Sequence, residues 1–439
     1  MTVVNRKRLD PRTFRLDPRM KEGWYSDHYF KNVVQVLSAL DREGYRFGGS
    51  SLDLEKKGIG VSHVDVGNIE AEMQYFTKRQ PSSIACGIDH AIAIFKTCTG
   101  YFDKNGKFRN TSRYLEIEAV HDGEKLFPWV PALKVRGRYR DFAILETPTL
   151  GVMARRTRIA SNVYQTLRAA KGKPVFFFPA RFDIPETQTG DGYAYKVALE
   201  RYNHDEKKNL PAMVTTEAQG DWWGEKGGGT TSHSYILSFL GDTTEAMLQF
   251  ARIIPPNVKR VALVDTRNDC VGDSVRTALA FFSRFRELKE RGSVAEAARY
   301  VLFGVRCDTA EDVRDVSVEP LGDPNLDFGV APRLVFRLRS ALDNLHHDSS
   351  IPREWTNRAQ KYFRDIKIVV SGGFNPERIA RFEAFKVPAD VYGIGSYLVA
   401  GERNDFTADI VRVKVHGKWH GLAKVGRRAI PNPDLERVK

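Results

Sequence analysis

The chain has 439 residues, of which 42% are hydrophobic, and a formal charge of +13. That length permits one large domain or two ordinary ones with a substantial core, and no apolar run is long enough to cross a bilayer, which excludes helical membrane-spanning classes. The four cysteines, Cys86, Cys98, Cys270 and Cys307, form no CxxC pair, so neither a disulfide framework nor a structural zinc site is expected.

The start, Met1-Thr2-Val3-Val4-Asn5-Arg6-Lys7-Arg8, lacks the apolar region of a secretory signal, and the chain is expected to be cytoplasmic. The positive charge suits nucleic acid, a membrane surface or polyanionic small substrates. Basic residues cluster at Arg6–Arg19, Lys134–Arg140, Arg155–Arg158 and Arg427–Arg428, yet no aromatic-interleaved RNA-binding signature accompanies them, so nucleic acid is not the expected partner.

In chain order, Val33–Leu40 has helical apolar spacing, and strand-like runs follow at Gly58–Val66, Tyr114–Val120 and Ala132–Tyr139. Alternation in the last two, around the turn His121-Asp122-Gly123-Glu124, predicts an antiparallel layer with one wet face. From Leu145 the pattern becomes helix and apolar strand in turn. Helices are predicted at Thr149–Ala169, Thr243–Ile254, Gly272–Gly292, Ala331–Leu345 and Asn375–Phe385. Strands are predicted at Pro174–Phe178, Val258–Thr266, Val301–Asp308, Ile366–Gly373 and Val391–Ser396. Such alternation implies a parallel sheet covered on both faces. Residues 179–225 give no clear pattern. Ala408–Gly417 alternates again and is expected to return to the first, antiparallel domain. The expected architecture is therefore α/β: a parallel domain over 145–400, and an antiparallel-rich α+β domain from 1–144 plus 401–439.

In parallel α/β folds ligands bind beyond the carboxyl ends of the strands. Polar residues collect there: Asp265 and Thr266, Arg306 and Asp308, Ser371-Gly372-Gly373, and Gly393-Ile394-Gly395-Ser396. Glycine turns at the last two strands would make a phosphate clamp, so a phosphorylated sugar is the expected ligand. Asp265 and Asp308 could meet sugar hydroxyls or Mg²⁺, and Arg306 a carboxylate or phosphate. The glycine-rich run Gly227-Gly228-Gly229-Thr230-Thr231-Ser232 delivers His233 to its end. His346-His347, adjacent on a helix without acidic or thiol partners, are expected at the surface. No lysine ends a strand as a Schiff-base former, which argues against an aldolase.

The ordered set Leu145-Glu146-Thr147-Pro148, Gly229-Thr230-Thr231-Ser232-His233-Ser234, Leu263-Val264-Asp265-Thr266, Gly304-Val305-Arg306-Cys307-Asp308, Val370-Ser371-Gly372-Gly373 and Tyr392-Gly393-Ile394-Gly395-Ser396 resembles the nicotinate phosphoribosyltransferase family. Ser26-Asp27-His28-Tyr29, Gly123–Pro128, Ala408–Val411 and Lys424–Arg427 extend the resemblance over nearly the whole chain. It implies a type II phosphoribosyltransferase with an irregular, TIM-like α/β barrel, acting as a homodimer with shared active sites. The implied reaction joins nicotinate to phosphoribosyl pyrophosphate in NAD salvage, with Mg²⁺ and with ATP as co-substrate. By carry-over, His233 is the phosphorylated histidine and Asp265 and Asp308 are catalytic. Tyr29, Arg181, Thr230 and Arg306 contact substrate, and Ser371, Gly372, Gly373, Gly393 and Gly395 hold the 5′-phosphate; the metal ligands are not assigned. Two departures stand out: Phe178-Pro179-Ala180-Arg181-Phe182 has one arginine where the family commonly has two, and Asp308-Thr309-Ala310-Glu311 replaces Asp-Ser-Gly-Asp. Alternatives are the same chemistry on nicotinamide, another sugar-phosphate barrel enzyme such as an isomerase, and a non-catalytic binder of nucleotide or nucleic acid.

Overall fold

The computed structural model describes residues 7–438, so most of the basic start Met1–Arg8 lies outside the described residues. The strands that build its two larger sheets are, in chain order, β1 (Glu70–Thr77), β2 (Glu116–Ala119), β3 (Pro131–Arg138), β4 (Val175–Phe177), β5 (Arg260–Leu263), β6 (Leu302–Cys307), β7 (Lys367–Val370), β8 (Val391–Ile394), β9 (Phe406–Val415), β10 (Lys418–Gly421) and β11 (Glu436–Arg437). Two compact units emerge. The first takes the described residues up to Tyr164, Ala194–Asp205 and the tail from Glu402; the second takes Gln165–Tyr193 and Glu206–Gly401.

The first unit holds a six-stranded antiparallel sheet in the order β10-β9-β1-β3-β2-β11. Its central strand, β1, was not expected; the sequence placed a strand at Gly58–Val66 instead. There Gly58 adopts φ +73° and His63 φ +62°, left-handed values that break an extended run. The polar alternation of β1 disguises it, because its polar face is covered as well. Glu72, 1% exposed, accepts Arg136 Nε at 2.7 Å, and the Gln74 amide exchanges hydrogen bonds with the backbone of Ile430. The helix Ile88–Cys98 also escaped sequence reading. Nearly all of it is buried, so no polar face marks its period.

Glu146 opens the helix Glu146–Ala169. Burial, reinforced by the carboxylates of Asp409 and Asp27, pushes its pKa up to about 7. A carboxyl raised in the folded state contributes stability that is complete below its unfolded pKa and is lost as pH rises through the folded one. Melting should therefore fall between about pH 5 and 8, and Glu146→Gln should raise stability at pH 8 by about 1–3 kcal/mol with little change at pH 5. Equal effects at both pH values would contradict this.

In the second unit five parallel strands run in the order β4-β8-β7-β6-β5, within a residue or two of the expected segments apart from the trimmed polar ends. Phe176, Val261, Val369 and Val391 meet on one face with Phe178, Met213 and Phe303. The ladder is continuous from β4 to β5 and does not close as regular sheet. The irregular segment between its two edges bonds to both: Val214 bridges Phe177, Gly228 N donates to Val214 O, and the Thr231 hydroxyl pairs with Val261 O and Leu263 N. Part of the unpatterned stretch 179–225 is the helix Gln188–Glu206. His346, expected at the surface, is buried at 8% exposure, with Nδ1 2.8 Å from Asp343 O; a short 3-10 turn after the helix Pro332–Asn344 folds it inward.

Candidate active site

Parallel pairing carries the carboxyl ends of β4 to β8 to one side of the sheet, where Phe178, Asp265, Arg306, Asp308, Ser371 and Gly395 finish or follow the strands. A cleft of about 490 Å³ opens there, lined by Phe178, Arg181, Thr230, Arg306, Asp308 and the glycine turns at 372–373 and 393–395. That volume suits a nucleotide-sized ligand.

Arg306 sits at the centre. Its Nη1 donates to Thr230 Oγ1 at 2.7 Å and its Nη2 to Asp308 Oδ2 at 2.9 Å. The guanidinium carbon lies 5.5 Å from the centroid of the Phe178 ring. The Arg306 Nε is buried without a partner. A cation so oriented, above an aromatic face, can accept a planar anion.

Gly372 and Gly373 are successive left-handed residues, φ +86° and +63°, and both line the cleft. Arg378 fastens this turn from behind, donating to Gly372 O at 2.8 Å and to Val330 O at 3.1 Å. Gly393 and Gly395 serve a further purpose: a Cβ would stand 2.5 Å from the Phe178 ring at the first and 2.2 Å from the Phe182 ring at the second. Phe182 thus occupies the cleft wall where the family pattern has a second arginine. Glu311, the other departure, lies 3.6 Å from Arg378 Nη1, beside Gly373.

His233 is the first residue of a short helix capped by the Ser232 hydroxyl, and its Nε2 lies 2.9 Å from Asp265 Oδ2. Burial raises the Asp265 pKa, and the neighbouring His233 opposes that rise. The imidazole keeps 44% exposure, so its other nitrogen faces outward from the pair. Asp265 Oδ1 is buried without a partner. Among the described residues no three His, Cys, Asp or Glu side chains gather as a metal site. A Mg²⁺ held mainly by substrate phosphates would find one available protein oxygen here, Asp265 Oδ1.

The second unit therefore assembles Arg181, Thr230, Arg306, Asp308, Ser371, Gly372, Gly373, Gly393 and Gly395 around one cleft, and pairs His233 with Asp265. Tyr29 belongs to the first unit, where its ring is 58% exposed beside Phe30. Arg378 and the cation-bearing face of Phe178 went unread. An arginine inside an amphipathic helix carries no signal of what it fastens.

Several known proteins are similar to this chain. Residues 59–157 match the family model described as quinolinate phosphoribosyl transferase, N-terminal domain. Nicotinate phosphoribosyltransferase 2 from Arabidopsis thaliana is 23% identical over 302 residues, covering 65% of this chain and 51% of the relative. The nicotinate phosphoribosyltransferase pncB2 of Mycobacterium tuberculosis is 24% identical over 287 residues, covering 65% and 49%. Among solved structures, nicotinate-nucleotide pyrophosphorylase from Pyrococcus furiosus superposes with a TM-score of 0.63 at 23% identity, over 94% of this chain and 80% of that one. Human nicotinic acid phosphoribosyltransferase gives 0.54 at 16% identity, over 79% and 71%. The fold is that of the phosphoribosyltransferases which these structures represent. In sequence and fold the chain is similar to nicotinate phosphoribosyltransferases. It spans about half the length of the curated relatives it matches. No helix among the described residues is long and apolar enough to cross a membrane.

Proposed function

We propose that this protein transfers the phosphoribosyl group of phosphoribosyl pyrophosphate to nicotinate, giving nicotinate mononucleotide and pyrophosphate in NAD salvage. The observation that carries the reading is the juxtaposition of Arg306, poised over Phe178, with the left-handed Gly372-Gly373 turn in the same cleft. One element suits the carboxylate of an aromatic acid, the other a phosphate. The irregular links at 213–231 let the parallel sheet serve as a barrel, with the cleft at its carboxyl mouth.

In the reaction the pyridine nitrogen forms a bond to ribose C1 as the bond from C1 to pyrophosphate breaks. Positive charge develops on the sugar and negative charge on the leaving group. Arg306 and Thr230 hold the acid, Asp308 takes sugar hydroxyls and faces the developing positive charge, and the glycine turns at 372–373 and 393–395 hold the 5′-phosphate. Arg181, exposed at the cleft, meets the phosphates. Mg²⁺, when bound through Asp265 with the substrate's phosphates, supplies neutralisation of leaving-group charge. ATP acts through His233: Asp265 holds Nε2, so Nδ1 attacks the γ-phosphorus, ADP leaves, and water later takes the phosphoryl group as inorganic phosphate. Tyr29 reaches the ring in a homodimer, from the neighbouring copy.

The test is product formation from phosphoribosyl pyrophosphate and Mg²⁺, with nicotinate, nicotinamide and quinolinate compared, each with and without ATP. Of the arginines lining the cleft, Arg181 is exposed and Arg306 partly buried, and one partly buried arginine matches a single carboxylate, so nicotinate is expected to be used best. Quinolinate, which the matching family model's name raises, carries two carboxylates. Faster turnover of quinolinate with release of carbon dioxide would replace this reading, and no mononucleotide from any of the three would end it.

A further inference from the structure

Ser371 follows β7 at the head of the glycine turn, and its hydrogen bonds are already spent. Its backbone N–H donates to Cys307 O at 3.0 Å, and its hydroxyl donates to Asp308 Oδ1 at 2.6 Å, with Cys307 O a weaker second acceptor at 3.3 Å. The residue is 3% exposed. A phosphate dianion offers only acceptors, and a hydroxyl whose single proton lies on a carboxylate has none to give it. Turning that proton to a phosphate would also leave Asp308 with one donor fewer, in the low-dielectric floor of the cleft.

The same carboxylate leads on to Arg306. Asp308 Oδ1 takes the serine, Oδ2 takes Arg306 Nη2 at 2.9 Å, and Arg306 Nη1 reaches Thr230 at 2.7 Å. The chain Ser371, Asp308, Arg306, Thr230 runs between the phosphate turn and the aromatic-acid slot, within one unit. Asp308 bonds to both neighbours, so its rotamer is set by Ser371 on one side and sets the Arg306 fork on the other.

We infer that Ser371 is a positioning residue for acid recognition and does not bind phosphate, which is left to the Gly372-Gly373 turn and Gly395. This rests on the phosphoribosyl-transfer reading above and narrows it. It also assigns a cause to a serine, in place of any small residue, before the two glycines: a hydroxyl is needed to lock Asp308.

Three forms of the full chain test it: wild type, Ser371→Ala and Ser371→Thr. Calorimetric titration with phosphoribosyl pyrophosphate alone should give affinities within about twofold of one another, because no phosphate donor is lost. In steady state Ser371→Ala should raise the KM for nicotinate roughly tenfold with a smaller change in kcat, and Ser371→Thr, which keeps the hydroxyl, should recover most of it. A ligand-free crystal structure of Ser371→Ala should show Asp308 turned and the Arg306 to Thr230 bond broken. Loss of phosphoribosyl pyrophosphate affinity by tenfold or more with an unchanged nicotinate KM would overturn the inference, as would a Ser371→Ala structure with Asp308 and Arg306 unmoved. Failure of the parent reading shows separately, as a wild-type protein that turns over no pyridine acid; the crystal structure then still decides whether Ser371 sets Asp308 and Arg306.

Discussion

Arg306→Ala is expected to lower kcat/KM for nicotinate by roughly 30- to 1,000-fold, equivalent to about 2–4 kcal/mol. The side chain is only 14% exposed and holds two hydrogen-bonded partners, so truncation removes the cation that meets the substrate and leaves Asp308 with an unbalanced charge. Arg306→Lys should recover little, because an ammonium cannot reach Thr230 and Asp308 while presenting a planar fork. Nicotinamide sharpens the measurement. If Arg306 reads a carboxylate, the nicotinate to nicotinamide ratio must fall in the variant; equal losses on both acceptors would show that the arginine serves the cleft and not the acid.

The second large effect falls on ATP. His233→Ala should abolish ADP release and any stimulation of transfer by ATP, while transfer without ATP stays within a few fold of wild type, since the histidine lies outside the set that lines the cleft. Asp265→Asn should lower the ATP response more mildly, and should also slow transfer without ATP because Mg²⁺ would lose its carboxylate. The substitution leaves an oxygen that can accept from Nε2 and removes the charge that favours this tautomer. Mass spectrometry of protein incubated with γ-labelled ATP reads the same point without turnover: label on wild type and none on His233→Ala. Label retained by the variant would remove His233 from its role.

Both predictions draw on residues singled out from sequence, yet what each is expected to do comes from its neighbours. Arg306 was legible as a cation ending a strand; its hold on Thr230, 76 residues earlier, was not. His233 was legible as a histidine closing a glycine loop, whereas its bond to Asp265 joins segments 32 residues apart. The glycines were legible as turns. Only the second unit's packing separates Gly372 and Gly373, which need left-handed backbone, from Gly393 and Gly395, where the Phe178 and Phe182 rings take the place of a Cβ. The Phe182 departure, visible as a missing arginine, proves to be an aromatic wall.

The first unit was read less well, for a reason that repeats. β1 and the helix Ile88–Cys98 bury polar and apolar faces alike, so the contrast on which periodicity depends is absent. The five parallel strands, also buried on both faces, were found because their continuous apolar runs are short and bounded by helices.

By itself, then, the sequence determined the alternation that makes a parallel sheet, the polar residues at the carboxyl ends of its strands, and the glycines that let backbone N–H groups face a ligand. These depend on local properties: side-chain period, strand length and permitted φ. Tertiary structure alone decided which polar atoms are left to work. Ser371 is committed to Asp308, Asp308 to Arg306, and Arg378 to the back of the turn, while Asp265 keeps one buried oxygen unpaired. Such commitments join residues far apart in the chain, and a donor's single proton can be assigned only once its partners are in place.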